Sequence, residues 1–159
     1  MFQLIKIDNA RMNVPEPEYY ECGAEIKCGY ALYMNDGKLY PATKDVPKSF
    51  IAMSDGKNGE TIPVCRISKE QVWETRIENS DRYWGVTKVG STINVEKDGP
   101  DQEAVNPPSD PDAVIVSKAE ADQFIDYGNG NGTAESGGNI RIRFLCNFGK
   151  NASTGQESA

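Results

Sequence analysis

Ala31-Leu32-Tyr33-Met34-Asn35-Asp36-Gly37-Lys38-Leu39-Tyr40 decides the fold class. Two short runs of β-favouring residues flank an Asp-Gly pair, and that pair supplies the positive φ a tight hairpin turn needs. Downstream, Phe50-Ile51-Ala52-Met53 and Ile62-Pro63-Val64-Cys65-Arg66-Ile67 are further strand candidates, with Ser54-Asp55-Gly56-Lys57 read as a second turn of the same kind. Gly23, Gly29, Pro41, Pro47 and Gly59 punctuate the same region. Short strands so divided predict a mainly β protein, a small β-barrel or β-meander.

Working outward, residues 2–7 read as a short strand, and the stretch after them does not. Pro15 and Pro17 stand there among apolar residues without a stable period, which predicts an extended N-terminal arm over residues 1–21. The β-rich domain is expected over 22–148, with sub-blocks 22–77 and 83–148, and a flexible tail over 149–159. Ser68-Lys69-Glu70-Gln71 has capping-box spacing, so a helical turn is expected at that point. Residues 71–77 alternate, Val72, Glu74 and Arg76 against Trp73, Thr75 and Ile77, as a strand does. Trp73 is assigned to the core.

Tyr83-Trp84-Gly85-Val86-Thr87-Lys88-Val89, Thr92-Ile93-Asn94-Val95 and Val114-Ile115-Val116 are strand candidates, and residues 98–112, rich in Asp and Pro, read as an exposed loop. One short helix is expected over 117–125, capped by Ser117 and Glu120. In the last strand, Ile140, Ile142, Phe144 and Cys146 should face one way. No internal repeat stands out.

The chain has 159 residues, 38% hydrophobic and 26% charged, with a mean hydropathy of −0.59. That describes a globular protein with polar loops. Val114-Ile115-Val116 is far too short to span a bilayer, so no membrane partner is expected. The start lacks a basic region followed by a sustained apolar stretch, which points to synthesis inside the cell. Acidic residues outnumber basic ones by 24 to 17, giving a net charge of −7 and a pI near 4.7, which opposes binding to nucleic acid. Arg141 and Arg143 are read as the solvent face of a strand.

With no histidine, the side chain best suited to proton transfer at neutral pH is missing, and so is every Ser-His or Cys-His nucleophile arrangement. Asp36, Asp55 and Asp81 remain as carboxylates, but the first two are explained by turns. The Gly128-Asn129-Gly130-Asn131-Gly132 loop lacks the Lys-Ser/Thr pair of a phosphate loop and the acidic twelfth position of a calcium loop. Cys22, Cys28, Cys65 and Cys146 contain no C-x-x-C pair. Isolated, mostly buried thiols are favoured over a disulfide or a four-thiolate metal site. No catalytic residue, cofactor or metal is assigned.

Cys22-Gly23-Ala24-Glu25-Ile26-Lys27-Cys28-Gly29-Tyr30-Ala31-Leu32, then Asp36-Gly37-Lys38-Leu39-Tyr40-Pro41-Ala42-Thr43, Pro47, Phe50-Ile51-Ala52-Met53 and Ile62-Pro63-Val64, resemble the head decoration, or cement, proteins of tailed bacteriophages. The likeness is one of cadence over roughly residues 22–75. It implies a virion structural protein on the capsid exterior, made in the host cytoplasm, a homo-oligomer with the trimer favoured, whose partner is the major capsid protein. Phe2, Leu4, Met12, Val14, Pro15, Tyr19 and Tyr20 would then form a capsid-binding arm by strand addition. Deleting the first twenty residues should leave the β domain folded. The reading from another class is a carbohydrate-binding module using Tyr83 and Trp84.

Overall fold

The computed structural model describes residues 1–7, 16–77, 88–101, 110–118, 124–125, 133–134 and 138–146. Two β layers share one core. The first is a closed barrel of β2 (Glu18–Cys22), β3 (Ala31–Asn35), β4 (Lys38–Pro41), β5 (Phe50–Ala52) and β6 (Thr61–Arg66), in the order β2-β4-β3-β5-β6. The second is a five-stranded sheet that draws its strands from both ends of the chain. Its order is β1 (Gln3–Ile7), β7 (Gln71–Ile77), β14 (Gly138–Phe144), β11 (Ala113–Lys118) and β8 (Thr92–Ile93). Small pairs join β9 (Val95–Glu96) to β10 (Gly99–Pro100), and β12 (Phe124–Ile125) to β13 (Thr133–Ala134).

The expected hairpin joins β3 to β4. Asp36 and Gly37 both have positive φ, 51° and 76°, and Asn35 pairs with Lys38 across the turn. This is the geometry that hairpin twist demands of a two-residue loop. The second Asp-Gly does something else. Residues 53–60 form a wide arch, and Gly56 makes an antiparallel bridge with Ile26 of a matching arch between β2 and β3.

The two arches are an internal repeat at a spacing of thirty positions, 22 matching 52, 26 matching 56 and 29 matching 59. Ile26 and Gly56 exchange both backbone hydrogen bonds, at 2.8 and 2.9 Å. The Gly29 amide donates to Ala52 as the Gly59 amide donates to Cys22, both at 2.8 Å. Gly29 and Gly59 turn the chain with φ of 88° and 91°. Tyr20 pairs with Ile62 as Phe50 pairs with Leu32. Few side chains are shared between the arches beyond Lys27/Lys57 and Gly29/Gly59, so the repeat lives in the backbone.

Period-two alternation explains how the layers stack. Cys22, Leu32, Leu39, Phe50, Ile62 and Val64 fill the barrel. The intervening Ala31, Ile51 and Cys65 point out of it and pack with Trp73, Ile115, Ile140, Ile142, Phe144 and Phe2 of the sheet. β5 is therefore buried on both faces, as its uninterrupted Phe-Ile-Ala requires. Each such side chain removed from water contributes about 1.5–3 kcal/mol. By the repeat, the counterparts of Ala31 and Ile51 are Thr61 and Glu21, both exposed, so the positions that pack against the sheet on one wall are polar on the other.

Of the polar groups buried near the seam, Thr75 Oγ1 and Asn94 Oδ1 have no hydrogen-bond partner among the described residues, whereas Gln71 is fully paired. Gln71, 3% exposed, accepts from Trp73 Nε1 (3.0 Å) and the Ser68 amide (2.9 Å), and donates to the Arg66 carbonyl (2.9 Å) and Cys65 Sγ (3.6 Å). All four hydrogen-bonding positions of the amide are used. The Ser68–Gln71 reach-back is the one the sequence suggests, but it closes a turn leading into β7 rather than a helix.

Other differences concern strands. The expected helix over 117–125 is not formed at either end. Ser117 and Lys118 complete β11 by pairing with Arg141 and Ile140, Phe124–Ile125 is a strand, and residues 119–123 lie outside the described residues. Residues 1–7 and 16–21 enter the fold instead of standing off it, β1 pairing with β7, and β2 closing the barrel between β4 and β6. Deleting the first twenty residues would therefore remove strands from both layers. The sub-block boundary at 77–83 is also crossed, since β7 pairs with β14.

Candidate binding surface

Two of the five exposed large apolar side chains among the described residues, Tyr19 and Met53, belong to the β2–β6 wall of the barrel or its border, the other three being Met1, Val89 and Leu145. Along β2, Glu18, Tyr20 and Cys22 turn inward while Tyr19 and Glu21 turn outward, the alternation of a half-buried strand. Tyr19 is 63% exposed and stands directly opposite Pro63 of β6. The Met53 amide donates to the Pro63 carbonyl at 3.0 Å, and the Met53 side chain is itself exposed. Because the barrel is closed, this surface offers side chains rather than an open strand edge.

Beneath Tyr19 the wall is pinned by one ionic cluster. Arg66 donates Nε to Glu18 Oε2 and Nη2 to Glu18 Oε1, both at 2.7 Å, a two-pronged fit of guanidinium to carboxylate. The Tyr20 hydroxyl donates to Glu18 Oε1 at 2.8 Å. The Tyr20 ring lies 5.1 Å from that of Phe50, over which Arg66 also sits at 5.5 Å. The Arg66 hydrogen bonds hold the Glu18 carboxyl below the usual carboxylate range, and the bond to Glu18 pushes the Tyr20 hydroxyl up. Lys38 pairs with Glu21 at 3.4 Å on the same wall.

Of the seven residues assigned to a capsid-binding contact, Tyr19 alone of those described is exposed. Phe2 is buried with its ring 6.1 Å from that of Phe144, and Leu4 packs half-buried on the same core. Tyr20 is half-buried in the Glu18 cluster. Met12, Val14 and Pro15 lie outside the described residues, as do Asp81, Tyr83, Trp84 and the 128–132 loop. Sequence reading missed Pro63, Met53 and the Glu18–Arg66 clamp. The signal was the alternation of Glu18 to Cys22, masked by Pro15 and Pro17 just before it.

Asp36 holds the turn position expected of it, while Asp55, in the arch that replaces the expected second turn, accepts the Cys28 amide on Oδ1 at 2.7 Å. None of the four cysteines is in a disulfide, Cys22 and Cys65 being buried and Cys28 exposed. Burial pushes the Cys65 thiol up to about 11 and raises that of Cys22. Among the described residues no group of three or more Cys, Asp or Glu could hold a metal ion, and no helix is long and apolar enough to cross a membrane. No protein-family model, curated protein or solved structure matches the chain.

Proposed function

We propose that the protein is a non-enzymatic structural component of a tailed-bacteriophage head, which binds the outside of the shell and stabilises it by bridging subunits of the major capsid protein. It acts as a homo-oligomer, with a trimer matching the shell's local three-fold positions. The observation that carries the reading is where the decoration-protein cadence falls. Its residues, Cys22 to Leu32, Asp36 to Thr43, Pro47, Phe50 to Met53 and Ile62 to Val64, supply all of β4 and β5 and parts of β2, β3 and β6 of the closed barrel. The barrel then presents Tyr19, Pro63 and Met53 on a wall stiffened by Glu18 and Arg66. Tyrosine and methionine are enriched in interface cores, and a rigid platform lowers the entropy lost on docking.

The contact is thereby moved from an arm to the barrel wall around Tyr19. The test is co-sedimentation of the purified protein with phage heads assembled without it. Saturable binding is expected, weakened roughly tenfold or more by Tyr19→Ala with the far-ultraviolet spectrum unchanged. Binding that Tyr19→Ala leaves intact rejects the wall as the contact, and absence of any binding rejects the function.

A further inference from the structure

Lys48, between β4 and β5, and Asp112, just before β11, meet at the seam between the two layers. Their side chains are 1% and 5% exposed, and Lys48 Nζ lies 2.7 Å from Asp112 Oδ2. Each is also held by a backbone group. Lys48 Nζ donates to the Lys44 carbonyl at 3.0 Å, and Asp112 Oδ2 accepts the Val95 amide at 2.9 Å. Ala113, next to Asp112, and Val95, whose amide it accepts, belong to the apolar core, and Val46, two residues before Lys48, packs against it.

This arrangement is what amide formation asks for. The amine nitrogen is fixed against an oxygen of the carboxyl group, one bond from the carbon it would attack, which converts a bimolecular encounter into an effectively unimolecular one. Burial penalises the two charges, and transfer of one proton along the contact yields a neutral amine beside a neutral carboxylic acid. Exclusion of water from the seam disfavours the reverse hydrolysis.

We propose that Lys48 and Asp112 condense to an intramolecular isopeptide bond that joins the barrel covalently to the five-stranded sheet. A proton passes from the Nζ ammonium to the carboxylate, and the freed Nζ lone pair attacks Cγ to form the C–N bond. The Val95 amide holds Oδ2, the oxygen that takes this proton, while the negative charge of the adduct develops on Oδ1. The protonated hydroxyl oxygen then departs with a second proton from Nζ as water, leaving the Nζ–Cγ amide. One ammonium and one carboxylate become one amide and one water, with no oxidant, reductant or other reactant. The link constrains the unfolded chain as a disulfide does, yet does not respond to reducing agents.

The full chain is weighed intact by electrospray mass spectrometry beside Lys48→Arg, which keeps the cation but lacks the amine that forms this bond. Wild type is expected to be lighter than its sequence by one water, Lys48→Arg to have its full mass, and a digest of wild type to contain one branched peptide joining residues 48 and 112. Wild type at full mass, with Lys48 and Asp112 recovered in separate linear peptides, overturns the proposal. So does a loss of water that persists in Lys48→Arg.

Discussion

At Gly56 a single hydrogen in place of a side chain lets the two arches close on each other. A Cβ built there would stand 2.5 Å from Ile62 Cγ2 and 2.8 Å from Cys22 Sγ, both inside the packed barrel. Gly56→Ala is therefore expected to destabilise the protein by about 1–3 kcal/mol through overpacking, read as a lower midpoint in urea. An unchanged midpoint would show that the barrel can make room. Cys65 gives a second residue-level prediction, on the alkaline side. Its folded value, about 11, lies above the ordinary 9.0, so the folded state holds its proton more tightly. The resulting stability is complete below pH 9.0, is lost as pH rises toward about 11, and amounts to roughly 2–3 kcal/mol. Melting temperatures of wild type and Cys65→Ala should draw together over that interval. Parallel curves would contradict the burial argument.

Between elements, the structure makes the barrel and the five-stranded sheet dependent on one core. Ile51 leaves the barrel to pack among sheet residues, so Ile51→Ala should cost about 2–5 kcal/mol and shift both layers in one unfolding transition. Two separate transitions, by tryptophan fluorescence and far-ultraviolet circular dichroism, would show that the layers fold independently. What was legible in the sequence at this scale was what neighbours along the chain decide. The Asp36-Gly37 turn, the runs Ala31–Asn35 and Thr61–Arg66, the burial of Trp73 and the shared face of Ile140, Ile142 and Phe144 all follow from local turn chemistry or period-two alternation. Elements decided by distant partners were not legible. Asp55-Gly56 has the composition of a tight turn, but Gly56 serves contact with Ile26, Ile62 and Cys22. Ser117 has cap spacing, but Arg141 across the ladder keeps it in a strand. Glu18–Cys22 follows two prolines and looks like an arm until β4 and β6 are present to flank it.

For the whole molecule, β1 and β2 tie residues 3–7 and 18–22 into both layers, and the barrel wall around Tyr19 is the surface proposed for a partner. Of the seven arm positions, Tyr19 is the proposed contact, since it is exposed while its neighbours Tyr20 and Glu18 are occupied in holding the wall together. A protein that bridges shell subunits should resist their separation, and an inward-braced wall transmits load better than a tether. DNA release on heating is the most direct measurement of that claim, using heads assembled without the protein and the same heads after saturation with it. The account predicts release at a higher temperature in the saturated heads, with the gain reduced by Tyr19→Ala in proportion to lost occupancy. Equal release temperatures at full occupancy would contradict it.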